Sequence, residues 1–143
     1  MFLRIEFSDD LAIYEQVVRQ VKFAVADGAA KEGELVPSVR ETARELAINP
    51  NTVARAFRQL QTNGVLESVR GTGLAVAKGA QPKCRAERVE LIRGRLRQAL
   101  LEAARSRLDA RQLRGLVEDE LAAVEKQCAD HQPEAAESQR PDS

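Results

Sequence analysis

The amino-acid sequence predicts a mainly α-helical protein with one small β-hairpin, and three observations lead to this fold class. Aromatic residues make up only 3% of the 143 residues and Trp is absent, so Val, Leu, Ile and Ala must build the core, which favours helices over a β-sandwich. Apolar residues recur at intervals of three and four along most of the chain, which is the period of an amphipathic helix. A glycine-rich turn between two short apolar runs, near residue 71, indicates the hairpin.

The first predicted helix covers Leu11–Asp27. Ser8–Asp10 precede it with side chains that can cap a helix, and Gly28 suits a left-handed end. The preceding residues, MFLRIEF, alternate weakly and are compatible with a short strand or an arm. The helix has apolar positions spaced by three and four residues, namely Tyr14, Val17, Val18, Val21, Ala24 and Val25.

Two short helices follow in close succession, each with a clear start. Ser38 and Glu41 have the spacing of a capping box, and this second helix ends near residue 48. Asn49 is a good N-cap for the third helix, and Pro50 fits its first position, where no backbone donor is needed. Gly64 suits its left-handed end. The third helix has a buried stripe formed by Val53, Phe57 and Leu60.

A β-hairpin completes the N-terminal part. Two short strands, Val65–Val69 and Leu74–Ala77, flank the turn formed by residues 70–73. Two close helices followed by a hairpin are a helix-turn-helix with a wing, an element whose main use is to enter a DNA groove. We therefore predict a winged helix-turn-helix DNA-binding domain over residues 1–78.

The C-terminal part is predicted to be an α-helical hairpin. Residues 79–83, with Gly79 and Pro82, are interpreted as a linker, and Asp109 with Gln112 has capping-box spacing. Residues 131–143 are polar and are predicted to be disordered. Two long apolar stripes in residues 84–130 exceed what a small winged domain can cover, which predicts homodimerisation through Val89, Ile92, Leu96, Leu100, Leu113, Leu116, Val117, Leu121 and Val124.

Polar and cationic side chains occupy the positions from which a helix-turn-helix reads DNA. Asn51, Thr52 and Arg55 fall off the buried stripe of the third helix, where asparagine can pair with adenine and arginine with guanine or a phosphate. Arg70 at the hairpin turn suits a narrow minor groove. The alternatives are that these polar residues, with Asn49, cap and solubilise the helix, and that Arg70 is an exposed hairpin charge.

The charge distribution points the same way. The net charge is zero, which argues against a protein that coats nucleic acid through bulk charge. Residues 38–73 nevertheless carry five arginines against three acids, which suits a selective reader with a few phosphate contacts. No apolar run approaches the roughly 18 residues that a membrane span needs, and no signal peptide is visible. We therefore expect a cytoplasmic protein that does not enter membranes.

The sequence predicts no enzyme, metal or cofactor. Cys84 and Cys128 have no second Cys or His at metal-ligand spacing, so two reduced thiols are expected, with a redox switch across a dimer as the alternative. The single His, His131, falls in the predicted tail, and neither thiol has a nearby base.

Four motifs stand out: YEQV at 14–17, LVPSVRE at 35–41, NPNTV at 49–53 and RGTG at 70–73. Together they resemble the GntR family of bacterial transcription regulators over about residues 11–78. The short two-helix C-terminal part resembles the YtrA subfamily, whose members lack the large effector-binding domain of other branches. Some branches of the family carry arginines where this chain has Pro50 and Ala54, so we do not expect this chain to recognise the operator sequence of those branches. Arg55 is then a candidate contact to a phosphate rather than to a base.

The resemblance implies a function and a set of site residues. It implies a dimeric repressor of a palindromic operator, with control of transport genes as an expectation, while an effector stays unknown. The alternatives are a ligand-sensing module with DNA-binding output and an architectural DNA-binding protein. Arg40 would contact a base or phosphate, with surface pairing to Glu41 or Glu45 as its alternative. The predicted DNA-binding residues are Ser38, Arg40, Asn49, Asn51, Thr52, Arg55, Arg70, Gly71 and Thr72.

Overall fold

The computed structural model describes residues 3–7 and 10–131. The fold class predicted from the sequence is confirmed, because the described residues form helices and a two-stranded antiparallel sheet. The chain divides into two compact units, Met1–Arg93 and Gly94–Ser143. The elements are α1 (Ile13–Asp27), α2 (Val39–Leu46), α3 (Pro50–Thr62), β1 (Leu66–Val69), β2 (Gly73–Val76), α4 (Ala80–Arg105) and α5 (Ala110–Asp130).

The start of α1 differs from the prediction. The helix begins at Ile13, and Ala12 occupies the N-cap position without a side-chain hydrogen bond, so capping by Asp10 is wrong; Ser8 and Asp9 lie outside the described residues. The buried Gln16 explains the difference. Its Nε2 donates to the carbonyl oxygens of Glu6 and Leu11 (2.9 Å each), and its Oε1 accepts from Glu6 N–H (2.9 Å). Residues 3–7 are thereby held as an arm against α1.

The N-caps predicted for α2 and α3 are present, but the capping box of α2 is only half formed, because among the described residues no bond joins the Glu41 carboxylate to Ser38 N–H. Glu41 N–H donates to Ser38 Oγ (3.1 Å), and Asn51 N–H donates to Asn49 Oδ1 (2.9 Å). Between the two helices, Ala47 ends α2 in the left-handed conformation at φ 53°. These local bonds satisfy helix-end donors, so the two helices begin where the sequence predicts.

The end of α3 is a Schellman motif. Gly64 adopts φ 73°, and its N–H donates to Gln61 O (3.0 Å), while Val65 N–H donates to Leu60 O (2.9 Å). A left-handed residue at this position closes the last turn, and glycine takes it without a Cβ penalty. Leu60 and Val65 are both buried and provide the hydrophobic contact that accompanies the motif. The chain therefore leaves α3 directly into β1.

The sheet forms the predicted hairpin with a shorter loop. β1 and β2 pair from Leu66 opposite Val76 to Val69 opposite Gly73, so Gly73 belongs to the strand and residues 70–72 form the loop. The other edge of β2 is also paired, because Val36 N–H donates to Leu74 O (2.9 Å). The hairpin is thus anchored to the segment that precedes α2.

The core of the unit Met1–Arg93 gathers residues from α1, α3, the hairpin and the start of α4. Helix α4 begins at Ala80, which is fully buried, and Cys84 one turn later is 2% exposed. The prediction of a linker at 79–83 is therefore wrong. Pro82 lies in the first turn of α4, where a backbone donor is not required, so it does not oppose the helix. The largest buried side chains of the core include Val17, Val21, Val25, Val53, Phe57, Leu60, Val65 and Val76.

Removing one hydroxyl from this core is expected to stabilise the protein. Thr42 on α2 is 4% exposed, and its Oγ1 has no hydrogen-bond partner among the described residues. Thr42→Val should raise the free energy of unfolding by about 1 kcal/mol, because an unsatisfied buried hydroxyl costs about 1–3 kcal/mol. Urea denaturation followed by circular dichroism measures the change. Thr62→Val is the control, since the exposed Thr62 hydroxyl already donates to Arg58 O (3.0 Å); a less stable Thr42→Val would contradict the expectation.

The unit Gly94–Ser143 contains the end of α4 and all of α5. The capping box predicted for α5 is confirmed: Gln112 N–H donates to Asp109 Oδ1 (2.8 Å), and Asp109 N–H donates to Gln112 Oε1 (3.2 Å). His131 forms the C-cap of α5, so the helix reaches the first residue of the predicted tail; residues 132–143 lie outside the described part of the chain. Within its described length, α5 contains no buried residue.

Candidate nucleic-acid interface

The exposed face of α3 carries polar and cationic side chains. Val53 and Phe57 belong to the buried face, and at 100° per residue the opposite direction falls on Arg55, with Asn51 and Arg58 within about 60° of it. Asn51, Arg55 and Arg58 are all exposed, and Thr52 is half-buried at the edge of this face. The structure therefore brings the predicted residues of α3 together on one accessible side.

Arg55 is held in place by α1. Its guanidinium carbon lies 3.8 Å from the centre of the Tyr14 ring, and Tyr14 OH donates to Glu15 Oε1 (3.1 Å). An arginine stacked on an aromatic ring keeps its charge and loses conformational freedom.

Arg40 is exposed near the start of α2. The predicted alternative, a surface pairing with Glu41 or Glu45, is not seen, because neither carboxylate forms an ion pair with Arg40 among the described residues. Ser38 beside it serves as the helix cap. Its hydroxyl thus has a structural role, and Arg40 keeps its hydrogen-bond donors available.

The wing presents Arg70 on a short, constrained loop. Gly71 adopts φ 77°, a conformation that favours glycine, and Thr72 N–H donates to Val69 O (3.0 Å). Arg70, Gly71 and Thr72 are all exposed. Gln61 on α3 donates from Nε2 to Ser68 Oγ (3.4 Å), which links the wing to the helix.

Sequence reasoning missed two residues of this surface. Arg58 lies three residues after Arg55 on the same exposed face, and the helical period would have grouped it with Asn51. Tyr14 was assigned to the apolar stripe of α1 and to the motif at residues 14–17, whereas its ring also supports Arg55. No local sequence signal indicates that second contact, since it joins elements distant in the chain.

The predicted dimerisation residues are largely exposed on the single chain. Val89 and Ile92 belong to the unit Met1–Arg93, and the others belong to the unit Gly94–Ser143. Most have about half of their surface accessible; for example, Leu121 is 55% exposed and Leu96 is 52% exposed. Leu113 is half-buried and, with Leu100, lines a groove in its unit.

Side chains that could ligate a metal ion do not cluster among the described residues. These residues contain no group of three or more His, Cys, Asp or Glu side chains that could hold a metal ion. Both cysteines are free thiols; burial raises the pKa of the Cys84 thiol and the Glu87 carboxylate raises it further, which makes Cys84 a poor nucleophile. Among the described helices, none is long and apolar enough to cross a membrane.

Comparison with known proteins adds independent findings. The family model for bacterial regulatory proteins of the gntR family matches residues 13–76, from α1 through β2. The HTH-type transcriptional repressor YtrA of Bacillus subtilis is 33% identical over 101 residues, which cover 71% of this chain and 78% of the relative. The uncharacterized HTH-type transcriptional regulator YhcF of the same organism is 30% identical over 97 residues, which cover 68% and 75%.

Solved structures show the same fold. A transcriptional regulator from Oenococcus oeni superposes with a TM-score of 0.72 at 28% identity, covering 84% of this chain and 99% of that one. YtrA from Sulfolobus acidocaldarius, described as a GntR-family transcription factor, gives a TM-score of 0.53 at 28% identity, covering 66% and 97%. The matched length in the first structure includes residues beyond the winged domain.

Proposed function

The chain belongs to the GntR family of bacterial regulatory proteins, and we propose on this basis that it is a dimeric repressor of a palindromic DNA operator. Membership makes it a transcription regulator with a DNA-binding helix-turn-helix, and its relatives are regulators rather than enzymes. The name of the Bacillus subtilis relative, a repressor, supports the direction of control. We propose the cytoplasm as its compartment, and its own operon and transport genes as targets, from the family resemblance alone.

One observation carries the proposed interface. Exposed cationic and amide side chains lie at the start of α2, along α3 and at the wing loop, namely on Arg40, Asn51 and Arg70. Neither arginine forms an ion pair within the described residues. Side chains that keep their donors free can bind phosphates and base edges, and their placement rather than bulk charge then gives the selectivity.

The proposal of a dimer follows from the exposed stripes. Leu96 and Leu100 on α4, with Leu116, Leu121 and Val124 on α5, expose apolar area along two helices. Leu96 and Leu100 are four residues apart, as are Val117 and Leu121, so these side chains adjoin along their helices. Exposed apolar surface of this kind marks an interaction site. A two-fold dimer would present two α3 helices to half-sites one helical turn of DNA apart, or a multiple of it, and match a palindromic sequence.

Footprinting on the DNA upstream of the protein's own gene tests the proposed function. We expect one protected region with two inverted half-sites, separated by about 10–10.5 base pairs or a multiple. Uniform protection without a preferred sequence would contradict the proposal and favour an architectural protein. A single protected half-site without an inverted repeat would contradict the dimeric form.

Arg40→Ala is expected to reduce operator affinity by about 1–3 kcal/mol, because a charged contact to a base or phosphate is lost. Fluorescence anisotropy with the footprinted operator measures the change. Repeating it over a range of salt separates the two contacts, since loss of a phosphate contact lowers the salt dependence. Arg111→Ala, an exposed arginine of α5, is the control, and equal affinities of Arg40→Ala and the unaltered protein would reject the assigned role.

Arg70→Ala should also weaken binding by about 1–3 kcal/mol, and the loss should depend on the sequence flanking each half-site. A narrow A·T-rich minor groove attracts arginine most strongly, so substituting G·C pairs there should shrink the difference between the variant and the unaltered protein. Competition titrations with the original operator and with the G·C-substituted operator measure the loss of affinity and its dependence on the flanking sequence. Lys78→Ala, at an exposed position after β2, is the matched control; the same loss on both operators would contradict insertion into the minor groove.

A further inference from the structure

A cavity of about 370 Å³ lies between α1 and the first turns of α4, within the unit Met1–Arg93. Its apolar wall is built by Val18 and Phe23 of α1 and by Leu91 of α4. Helix α3 reaches the same cavity through Gln59. A cavity of this size is in the range that takes a small molecule.

The cavity is lined by three cationic side chains and two carboxylates. Lys22 is paired with Glu87, with Nζ 3.1 Å from Oε2, and only 19% of the Lys22 side chain is exposed. Glu15 accepts the hydrogen bond from Tyr14 OH. The remaining two cations, Arg19 and Arg88, have no carboxylate partner among the described residues. The lining therefore has spare positive charge.

Arg88 is the most informative of these side chains. Its guanidinium carbon lies 3.9 Å from the centre of the Phe23 ring. Its Nη1 is buried, and no hydrogen-bond acceptor reaches that atom among the described residues. A buried charged donor without an acceptor is costly. A small side-chain movement toward an anion in the cavity would give the guanidinium an acceptor while the Phe23 ring still supported it.

We propose that this cavity binds a small molecule that joins one anionic group to an apolar body. The anionic group lies at Arg88 and Arg19, and the apolar body lies along Val18, Phe23 and Leu91. An amphipathic carboxylate has both features. A purely apolar ligand would leave the arginines without acceptors, and a small inorganic anion would leave the apolar wall uncovered.

The position of the cavity links it to α3. Tyr14 lines the cavity and also supports Arg55 on its ring, and Gln59 belongs to α3 itself. A bound ligand that displaces Tyr14 therefore changes the environment of Arg55. A regulatory effect of the bound ligand rests on the proposed function, whereas binding of the ligand to the cavity does not depend on DNA binding.

Two-dimensional NMR with hexanoate as the probe, and 1-hexanol as its uncharged match, tests the site on the full chain without DNA. We expect saturable shifts of the backbone amides of α1 and of Cys84–Leu91 with hexanoate, and at least tenfold weaker binding of hexanol. Arg88→Gln and Arg19→Gln should each weaken hexanoate binding, the former at least tenfold. Arg97→Gln is the control. Arg97 lies on α4 like Arg88, but its side chain is exposed and does not line the cavity, so this variant should bind hexanoate with unchanged affinity. The Arg55 Nε–H resonance should shift in parallel.

Several results would overturn the inference. Equal affinities for hexanoate and hexanol, or unchanged binding in both arginine variants, would remove the anion site. Shifts of the α1 amides on dilution without hexanoate would show that a second copy of the chain occupies the cavity, because α1 carries none of the predicted dimerisation residues. An unshifted Arg55 resonance at saturation would remove the link to α3. Operator binding measured without hexanoate tests the proposed function separately, so either proposal can fail while the other stands.

Discussion

Replacing Leu121 with aspartate is expected to convert the protein into monomers and to lower operator affinity by about 10²–10⁴-fold, the gain that linked binding modules usually provide. Leu121 is 55% exposed on the single chain and lies on the apolar stripe of α5. A carboxylate at the centre of a dimer interface would be desolvated without a partner, which costs several kcal/mol. Sedimentation equilibrium at micromolar concentration and anisotropy titration of the operator measure the two effects.

Ala122→Asp is the matched control for this prediction. It introduces the same charge into the same helix one residue later, on the face opposite the stripe, where the side chain is exposed. The dimer and the operator affinity should both persist in this variant. A monomeric unaltered protein at micromolar concentration would contradict the proposed dimer directly. A Leu121→Asp dimer of unchanged affinity would contradict the position of its interface.

Truncating Phe57 to alanine is expected to lower the free energy of unfolding by about 3–5 kcal/mol, the usual cost of removing a buried aromatic side chain. Phe57 is 2% exposed in the core formed by α1, α3 and the hairpin. With few aromatic residues in the chain, the neighbouring Val and Ala side chains are too short to fill the space that it leaves. Urea denaturation followed by circular dichroism measures the loss.

Arg58→Ala provides the control for the Phe57 prediction. The two residues are adjacent on α3, but Arg58 is exposed, so its truncation should change the free energy of unfolding by less than about 0.5 kcal/mol. It should instead weaken operator binding if the exposed face of α3 contacts DNA. A loss below about 1 kcal/mol in Phe57→Ala would mean that the core around α3 collapses to fill the cavity.

The features that could be predicted from the sequence are the local ones. A cap is a hydrogen bond between residues two or three positions apart, so Ser38, Asn49 and Asp109 indicated where their helices begin. Helical period likewise identified the buried stripe of α3 that ends at Leu60. Because these signals depend on neighbouring residues, the order of helices and the hairpin followed from them without knowledge of the packing.

The errors arose where packing between distant elements decides the structure. Gly79 and Pro82 have the composition of a linker, but Ala80 is buried against the core and α4 begins there, with Pro82 in its first turn. Asp10 could cap a helix, but the Gln16 amide holds the preceding backbone and moves the start to Ile13. The predicted site lacked the contact between Tyr14 and Arg55 for the same reason, because Tyr14 lies on α1, far from Arg55 in the sequence.

The start of α4, which is buried at Ala80 and Cys84, limits how the length of this chain can vary. In a flexible linker, an inserted residue is absorbed by the surrounding loop at little cost. Between Ala80 and Cys84, one inserted residue would instead turn the following part of the helix by about 100° and advance it by about 1.5 Å. Cys84 would leave the core and a neighbouring exposed residue would enter it. Functional homologues should therefore tolerate substitutions in this turn far better than insertions or deletions.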